Sequence, residues 1–220
     1  MPLPPITSYK QIKFPSQEVA DLVENLVTNR LPFPANDKNG ILIYGPTGTG
    51  KTSLMKLLPD AFEQNRSGQD AYSPNYYAID EFTNLASLFS SMRKLANNRP
   101  LSGYYNYFQL DEVDLMKAKG MMSLKSVMSL PISIFIFATN NLSAIDPIIV
   151  GRCHLVNMYP PPPSSIVGMF KQALMSSGIA NLPSDSIIEN VISSCNGNMR
   201  EVGDQIDKTV LDMKKTQGTI

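Results

Sequence analysis

Residues 41–58 read "ILIYGPTGTGKTSLMKLL". Four residues of strand-forming, largely apolar character lead into a glycine-rich turn, and the turn leads into a helical pattern. Gly45 to Thr52, "GPTGTGKT", fits G-x-x-x-x-G-K-[ST],. Glycines at those positions let backbone N–H groups curl around a phosphate, and the helix N-terminus beyond them adds a favourable dipole. Lys51 then reaches the β- and γ-phosphates of a nucleotide, and the Thr52 hydroxyl is placed to ligate Mg²⁺. Gly45, Pro46, Thr47, Gly48, Thr49, Gly50, Lys51, Thr52 and Ser53 are the expected nucleotide contacts. Pro59 is expected to end the helix that starts at Lys51,.

The flanking chain repeats this alternation. Ser16 is placed to cap a helix running to about Thr28, whose apolar face carries Val19, Leu22, Val23, Leu26 and Val27,. "YYAI" (76–79), "YYNYFQL" (104–110) and "ISIFIFA" (132–138) read as strands. Residues 84–98 and 121–129 read as helices, the first with Leu85, Leu88, Phe89, Met92 and Leu95 on one face. Strands alternating with helices predict a parallel sheet covered on both sides. The pattern changes after "YPPPPSS", a stiff extended spacer,. Helices at about 164–176, 184–195 and 198–214, with no strand, predict a small helical lid. The expected division is an α/β nucleotide-binding domain over 1–159 and a lid over 160–220.

A phosphate site of this kind needs a carboxylate for Mg²⁺ at a strand's C-terminal end and a second one to orient water. Two stretches offer the pair: "YAIDEF" (77–82) and "YFQLDEVD" (107–114). Only the second is followed by a strand ending in a polar sensor, Asn140 of "IFIFATN". Asp111 is therefore the metal-side candidate and Glu112 the catalytic one, with Asp114 free to cap the next segment of chain. Asp80 and Glu81 fall to a neighbouring strand, where they cap the helical region 84–98.

In order along the chain, "GPTGTGKTS", "QLDEVD", "FIFATNN", "IDPIIVGRC" and "NGNMRE" resemble the AAA+ ATPases, and among them the clamp-loader subunits. "SYKQIKFPSQEVADLVENLVTNRLP" is similar to that family's adenine-side box and helix. The resemblance implies strand order 5-1-4-3-2, with the strand ending at Asp80 at the far edge. It also implies ATP and Mg²⁺ as cofactors, and a homo- or hetero-oligomer with ATP at subunit interfaces. Arg152 matches the family's arginine that reaches a neighbour's ATP, although Gly151 replaces the usual serine before it. Arg200 matches the second-sensor arginine that touches the γ-phosphate from the lid, with Asn198 and Glu201 forming a capping box around it,. Lys117, Lys119 and Lys125 fall where clamp loaders face DNA.

Composition narrows the alternatives. Lys+Arg and Asp+Glu number 19 each, so any nucleic-acid surface must be local,. Two cysteines and one histidine build neither a zinc site nor a disulfide framework,. Adjacent Cys153 and His154 point apart and make no catalytic pair. No apolar run is long enough to span a bilayer and no signal peptide opens the chain, so the expected location is intracellular: cytoplasmic, or nuclear in a eukaryotic or viral setting,. The expected role is an ATP-driven loading or remodelling factor in DNA replication, with DNA and a clamp or helicase as partners and no membrane. The other readings are a helicase loader or viral-type helicase, and an ATP-gated protein-remodelling or scaffold module without nucleic acid. Clamp loaders carry a collar domain, whereas this chain ends at Ile220 just after the lid; the expectation is either a compact version or an oligomer that relies on nucleotide and partner.

Overall fold

The computed structural model describes residues 5–80 and 83–216. Ser16 sits in extended backbone and accepts the Val19 N–H, starting α1 (Gln17–Val27), which buries Val23, Leu26 and Val27. Then come β1 (Gly40–Tyr44), α2 (Lys51–Ser67), β2 (Asn75–Ala78), α3 (Leu85–Ala96), β3 (Asn106–Asp111), α4 (Ala118–Val127), β4 (Ser133–Thr139), α5 (Pro147–Gly151) and β5 (Cys153–Asn157). Three further helices close the described chain: α6 (Pro163–Ser176), α7 (Asp185–Ser194) and α8 (Met199–Thr216).

The five strands form one parallel sheet in the order β2-β3-β4-β1-β5, which is 5-1-4-3-2 read from the other edge. Alternation along each strand divides the core between two faces. Ile41, Ile43, Tyr107, Ile134, Ile136 and Val156 pack with α1 and α2. Leu42, Phe108, Leu110, Phe135 and Phe137 pack with α3, α4 and α5. Every residue of β4 is buried, which is why "ISIFIFA" is apolar at consecutive positions rather than alternate ones,. A separate cluster, including Ile166, Phe170, Ile188, Ile192, Val202 and Ile206, holds α6, α7 and α8 together.

Pro59 does not end α2. The helix runs past it to Ser67 and stops at Gly68, which takes the left-handed conformation. A helical proline leaves the carbonyl four residues earlier without its N–H donor. That carbonyl is Met55 O, and the buried Gln109 of β3 donates its Nε2 to it at 2.5 Å. The gap is filled from the sheet, so the helix continues.

Gln109 is the middle rung of a polar row along β3. Tyr107, Gln109 and Asp111 share the face toward α2 and make hydrogen bonds to Glu63, Met55 and Thr52 respectively. Glu63 is fully buried. Its carboxylate accepts the Tyr107 hydroxyl at 2.9 Å and the backbone N–H groups of Tyr104 and Tyr105 at 3.0 and 3.2 Å. Gly103 makes this turn possible: its φ is +80°, and a Cβ there would lie 2.8 Å from the Glu63 carboxyl.

Several expectations are corrected. Strand β3 begins at Asn106 and not at Tyr104, because Tyr104 and Tyr105 serve the turn around Glu63; Tyr104 is exposed. Helix α4 starts at Ala118, three residues before its expected beginning, because Gly120 lies inside it. A Cβ at Gly120 would lie 2.5 Å from Leu85 Cδ1 of α3, so the two helices pack closely at this glycine. Leu95 turns to solvent, and Ala96 completes the buried face of α3. Strand β5, "CHLVN", has no clear local pattern because this edge strand is short and only half buried. The Cys153 thiol is buried and pushed up to about 12, far from a nucleophile's range,.

The row on β3 predicts a coupled stability effect. Gln109→Leu leaves the Met55 carbonyl unpaired and should cost about 1–3 kcal/mol in chemical denaturation. In a Pro59→Ala background the restored helical N–H should remove at least about half of that cost.

Candidate functional site

The phosphate loop follows β1 directly, and α2 begins at its last glycine, Gly50, in left-handed backbone. The loop, β3 and β4 meet at the C-terminal edge of the sheet, beneath the start of α8. There they line a cavity of about 770 Å³. Thr47 through Ser53, Asp111, Glu112, Thr139, Asn140 and Arg200 form one end of it. The other end lies between the segment around Gln11–Lys13 and the α6 residues Ser165, Gly168, Met169 and Gln172. Gly45 and Pro46 sit behind the loop and do not line the cavity.

Within this cleft the candidates take up specific contacts. Thr52 Oγ1 donates to Asp111 Oδ2 at 2.7 Å. The other Asp111 oxygen accepts the Glu112 N–H at 3.0 Å. Lys51 is buried, and its Nζ donates to the Pro46 carbonyl at 2.7 Å. Burial pulls the Lys51 ammonium below the usual lysine range, while the carboxylates of Asp111, Asp114 and Glu112 push back and Arg200 adds to the lowering. The charge is thus held in a partly dry place beside three acids, where an incoming phosphate would favour its protonated form.

Glu112 stands at φ +56°, ψ +40°, an uncommon conformation for a residue with a Cβ,. It turns the chain out of β3 and leaves the side chain on the cavity wall. Such strain concentrates where function holds a residue in place. Asp114 does not act as a cap. It reaches across to β4, accepting the Thr139 hydroxyl at 2.8 Å and the Asn140 N–H at 3.3 Å. The amide oxygen of Asn140 in turn accepts the Thr47 hydroxyl at 3.4 Å. The acidic box and the sensor strand are therefore linked through Asp114.

The start of α8 touches the phosphate loop. Met199 N–H donates to the Gly48 carbonyl at 2.9 Å. Asn198 accepts the Arg200 N–H at 3.1 Å and donates to Glu201 at 3.0 Å. Gly48 has φ +84°, and a Cβ on it would sit 2.1 Å from Asn198 Oδ1, so only glycine fits under the lid. Arg152 is elsewhere. Its carbonyl accepts the N–H of Gly40, the first residue of β1, and its guanidinium donates to Lys125 O and Ser129 Oγ at 3.1 and 3.0 Å. The length of β1, about 15 Å, separates it from the phosphate loop of its own chain.

Asp80 does not line the cavity; its carboxylate accepts the Thr83 hydroxyl at 2.7 Å. The cap of α3 is Asn84, which accepts the Ser87 N–H, and not Asp80. Glu81 lies outside the described residues. One contact has no counterpart in the sequence reading. Tyr76 of the edge strand donates its hydroxyl to Asp111 Oδ2 at 3.2 Å. No local pattern marks Tyr76; only the β2–β3 register reveals that it shares a face with Asp111.

The residues fit a nucleotide with a hard divalent cation. A hydroxyl and a carboxylate share one hydrogen bond at the start of a helix whose first N–H groups face the cavity. Among the described residues no group of three or more His, Cys, Asp or Glu could enclose a metal ion. One hydroxyl and one carboxylate in contact suit Mg²⁺, which takes few protein ligands and completes its shell with water and phosphate,. Among the described residues no helix is long and apolar enough to cross a membrane.

Residues 41–160 match the family model of the ATPase family associated with various cellular activities, AAA. Replication factor C subunit 4 of Encephalitozoon cuniculi is 25% identical over 194 residues, covering 86% of this chain and 60% of that protein. Replication factor C small subunit 2 of Pyrobaculum islandicum is 24% identical over 196 residues, covering 84% and 57%. Subunit 3 of the same factor from Oryza sativa subsp. japonica is 24% identical, covering 90% and 54%. The chain thus spans between half and two thirds of the length of these relatives. The Thermotoga maritima RuvB Holliday junction branch migration motor superposes with TM-score 0.70 at 12% identity, over 96% of this chain and 72% of that one. Caenorhabditis elegans PCH-2 gives 0.59 at 16% identity, over 86% and 61%.

The link through Asp114 predicts a separable effect. Asp114→Ala should slow phosphate release from ATP about tenfold, ~1.4 kcal/mol of barrier, while nucleotide affinity stays nearly unchanged. Steady-state turnover and equilibrium binding check the two halves.

Proposed function

The chain belongs to the AAA family of ATPases, and from that membership we propose that it binds and hydrolyses Mg-ATP in the cleft between the phosphate loop and the helical lid. The observation that carries the reading is the 2.7 Å hydrogen bond from Thr52 to Asp111, which brings the two elements of a metal–phosphate site together. The phosphates lie on Thr47 to Ser53, with Lys51 against their charge. Thr52 and Asp111 would hold Mg²⁺, which when bound would neutralise charge on the phosphoryl oxygens. Glu112 orients the attacking water and accepts its proton, and Asn140 fixes that water from the sensor strand. Arg200 reports the γ-phosphate to the lid, residues 160–220, which hinges on residues 1–159 at the proline spacer.

Arg152 lies a strand's length from its own cleft, so its catalytic work is done in a neighbouring chain's site. An arginine delivered in this way stabilises charge in the transition state and makes turnover conditional on assembly. The similarity to replication factor C subunits supports a role as a loading factor in DNA replication, acting in an oligomer on DNA with a clamp as partner. Stimulation of hydrolysis by primed DNA tests that role; stimulation by a protein partner alone would favour a remodelling module.

Glu112→Gln should retain ATP binding and lose at least about 100-fold in turnover, whereas Asp80→Ala should stay within about twofold of the parent. Unchanged turnover in Glu112→Gln would remove that residue from the mechanism. Mixing Arg152→Ala with Glu112→Gln chains should restore part of the activity that each lacks alone, since a mixed interface contains one intact site.

A further inference from the structure

Strand β2 lies at the edge of the sheet, and Asp80, two residues beyond its end, does not line the cleft. Tyr76, in the middle of this strand, reaches the cleft carboxylate of Asp111. Ala78 pairs with Asp111 and Tyr76 with Gln109, so Tyr76 stands one step behind Asp111 on the same sheet face. Diagonal neighbours of this kind are within reach of an aromatic side chain. The tyrosine hydroxyl donates to Asp111 Oδ2 at 3.2 Å, and the same oxygen accepts Thr52 Oγ1 at 2.7 Å.

A second contact holds the ring. Lys56 Nζ lies 4.3 Å from the centroid of Tyr76. Lys56 comes one helical turn after Thr52, so both project from one stripe of α2. Thr52 grips Asp111 directly, and Lys56 grips the tyrosine that does so. Asp111 is 8% exposed and Tyr76 39% exposed, so the hydroxyl approaches the buried carboxylate from the solvent side.

We propose that Tyr76 is a positioning residue for the metal-side carboxylate, reaching from the edge strand to fix Asp111 for Mg²⁺. The inference rests on the reading of Asp111 as the metal-side acid. With the hydroxyl in place, Oδ2 has two donors on it and Oδ1 has the Glu112 N–H, so the carboxylate plane cannot swing when the cation arrives. Outer partners of this sort orient a ligand without touching the ion, and losing one typically weakens metal binding about 10- to 100-fold.

The test uses the full chain and a non-hydrolysable fluorescent ATP analogue titrated at set free Mg²⁺ concentrations. Tyr76→Phe, which keeps the ring and its lysine contact, should raise the Mg²⁺ concentration for half-maximal binding about tenfold. Binding of the analogue in EDTA, and the thermal midpoint of the apo-protein, should not change. Asp111→Asn, measured alongside, should shift the Mg²⁺ midpoint at least as far. If Asp111→Asn shifts it and Tyr76→Phe does not, the role of Tyr76 is overturned. If neither shifts it, Asp111 is not the metal-side acid and the premise itself fails. A loss in Tyr76→Phe that is equally large in EDTA would also overturn the proposal, because it would mark a general weakening of the loop.

Discussion

The hydrogen bond between Thr52 and Asp111 joins the helix after the phosphate loop to the strand that carries the acids, and it is the last of three such contacts along one line. Tyr107, Gln109 and Asp111 alternate along β3 with apolar residues that face the other side, and each finds its partner on α2. Buried polar groups are costly unless paired, so a row of three fixes the register of strand against helix more tightly than apolar packing alone. The far rung seals a fully buried carboxylate, and the middle one mends the break made by Pro59. At the near rung the pairing emerges into the cleft, where a threonine hydroxyl and a carboxylate are held for chemistry. A helix displaced by one turn would lose all three.

Much of this is legible in the amino-acid order, and the reasons are physical. The loop at Gly45 to Thr52 needs its residues at fixed offsets, so it declares itself locally. The choice of Asp111 over Asp80 rests on the strand that comes next; Asp111 ends β3, Asp80 follows the adjacent edge strand β2, and of the two only Asp111 lines the cavity. Contacts between elements distant in sequence escape local reading. Pro59 looks like a terminator until Gln109 is seen to replace its missing donor. Asp114 looks like a cap until β4 lies beside it. Tyr76 looks like an ordinary strand tyrosine until the β2–β3 register is known. In each case the deciding partner lies tens of residues away.

The lid joins the same circuit from the other side. Gly197 packs its backbone on Pro160, and Gly48 lies under Asn198, so the proline spacer, the loop before α8 and the phosphate loop are in contact in series. A shift of the phosphate loop is therefore passed to α8 without an intermediary, through the Met199 N–H on the Gly48 carbonyl. On the proposed reading, Arg152 extends this circuit to a neighbouring chain. It sits at the N-terminal end of β1, braced on α4 by Lys125 O and Ser129 Oγ, with Lys125 itself paired to Asp146 at 2.7 Å. The segment that would present the arginine to a neighbour is thereby tied to the helix after the acidic box of its own chain.

If a neighbour's arginine finishes the cleft, as proposed, a chain should be slow alone and faster in company. The most direct measurement is phosphate release per chain from saturating Mg-ATP over a wide range of protein concentration, with EDTA as the control. The specific rate should be abolished by EDTA and should climb as chains associate, levelling when assembly is complete. Release that ignores Mg²⁺, or a specific rate that stays flat while the protein goes from monomer to oligomer, would contradict a site built on Thr52 and Asp111 and finished by a neighbour's arginine.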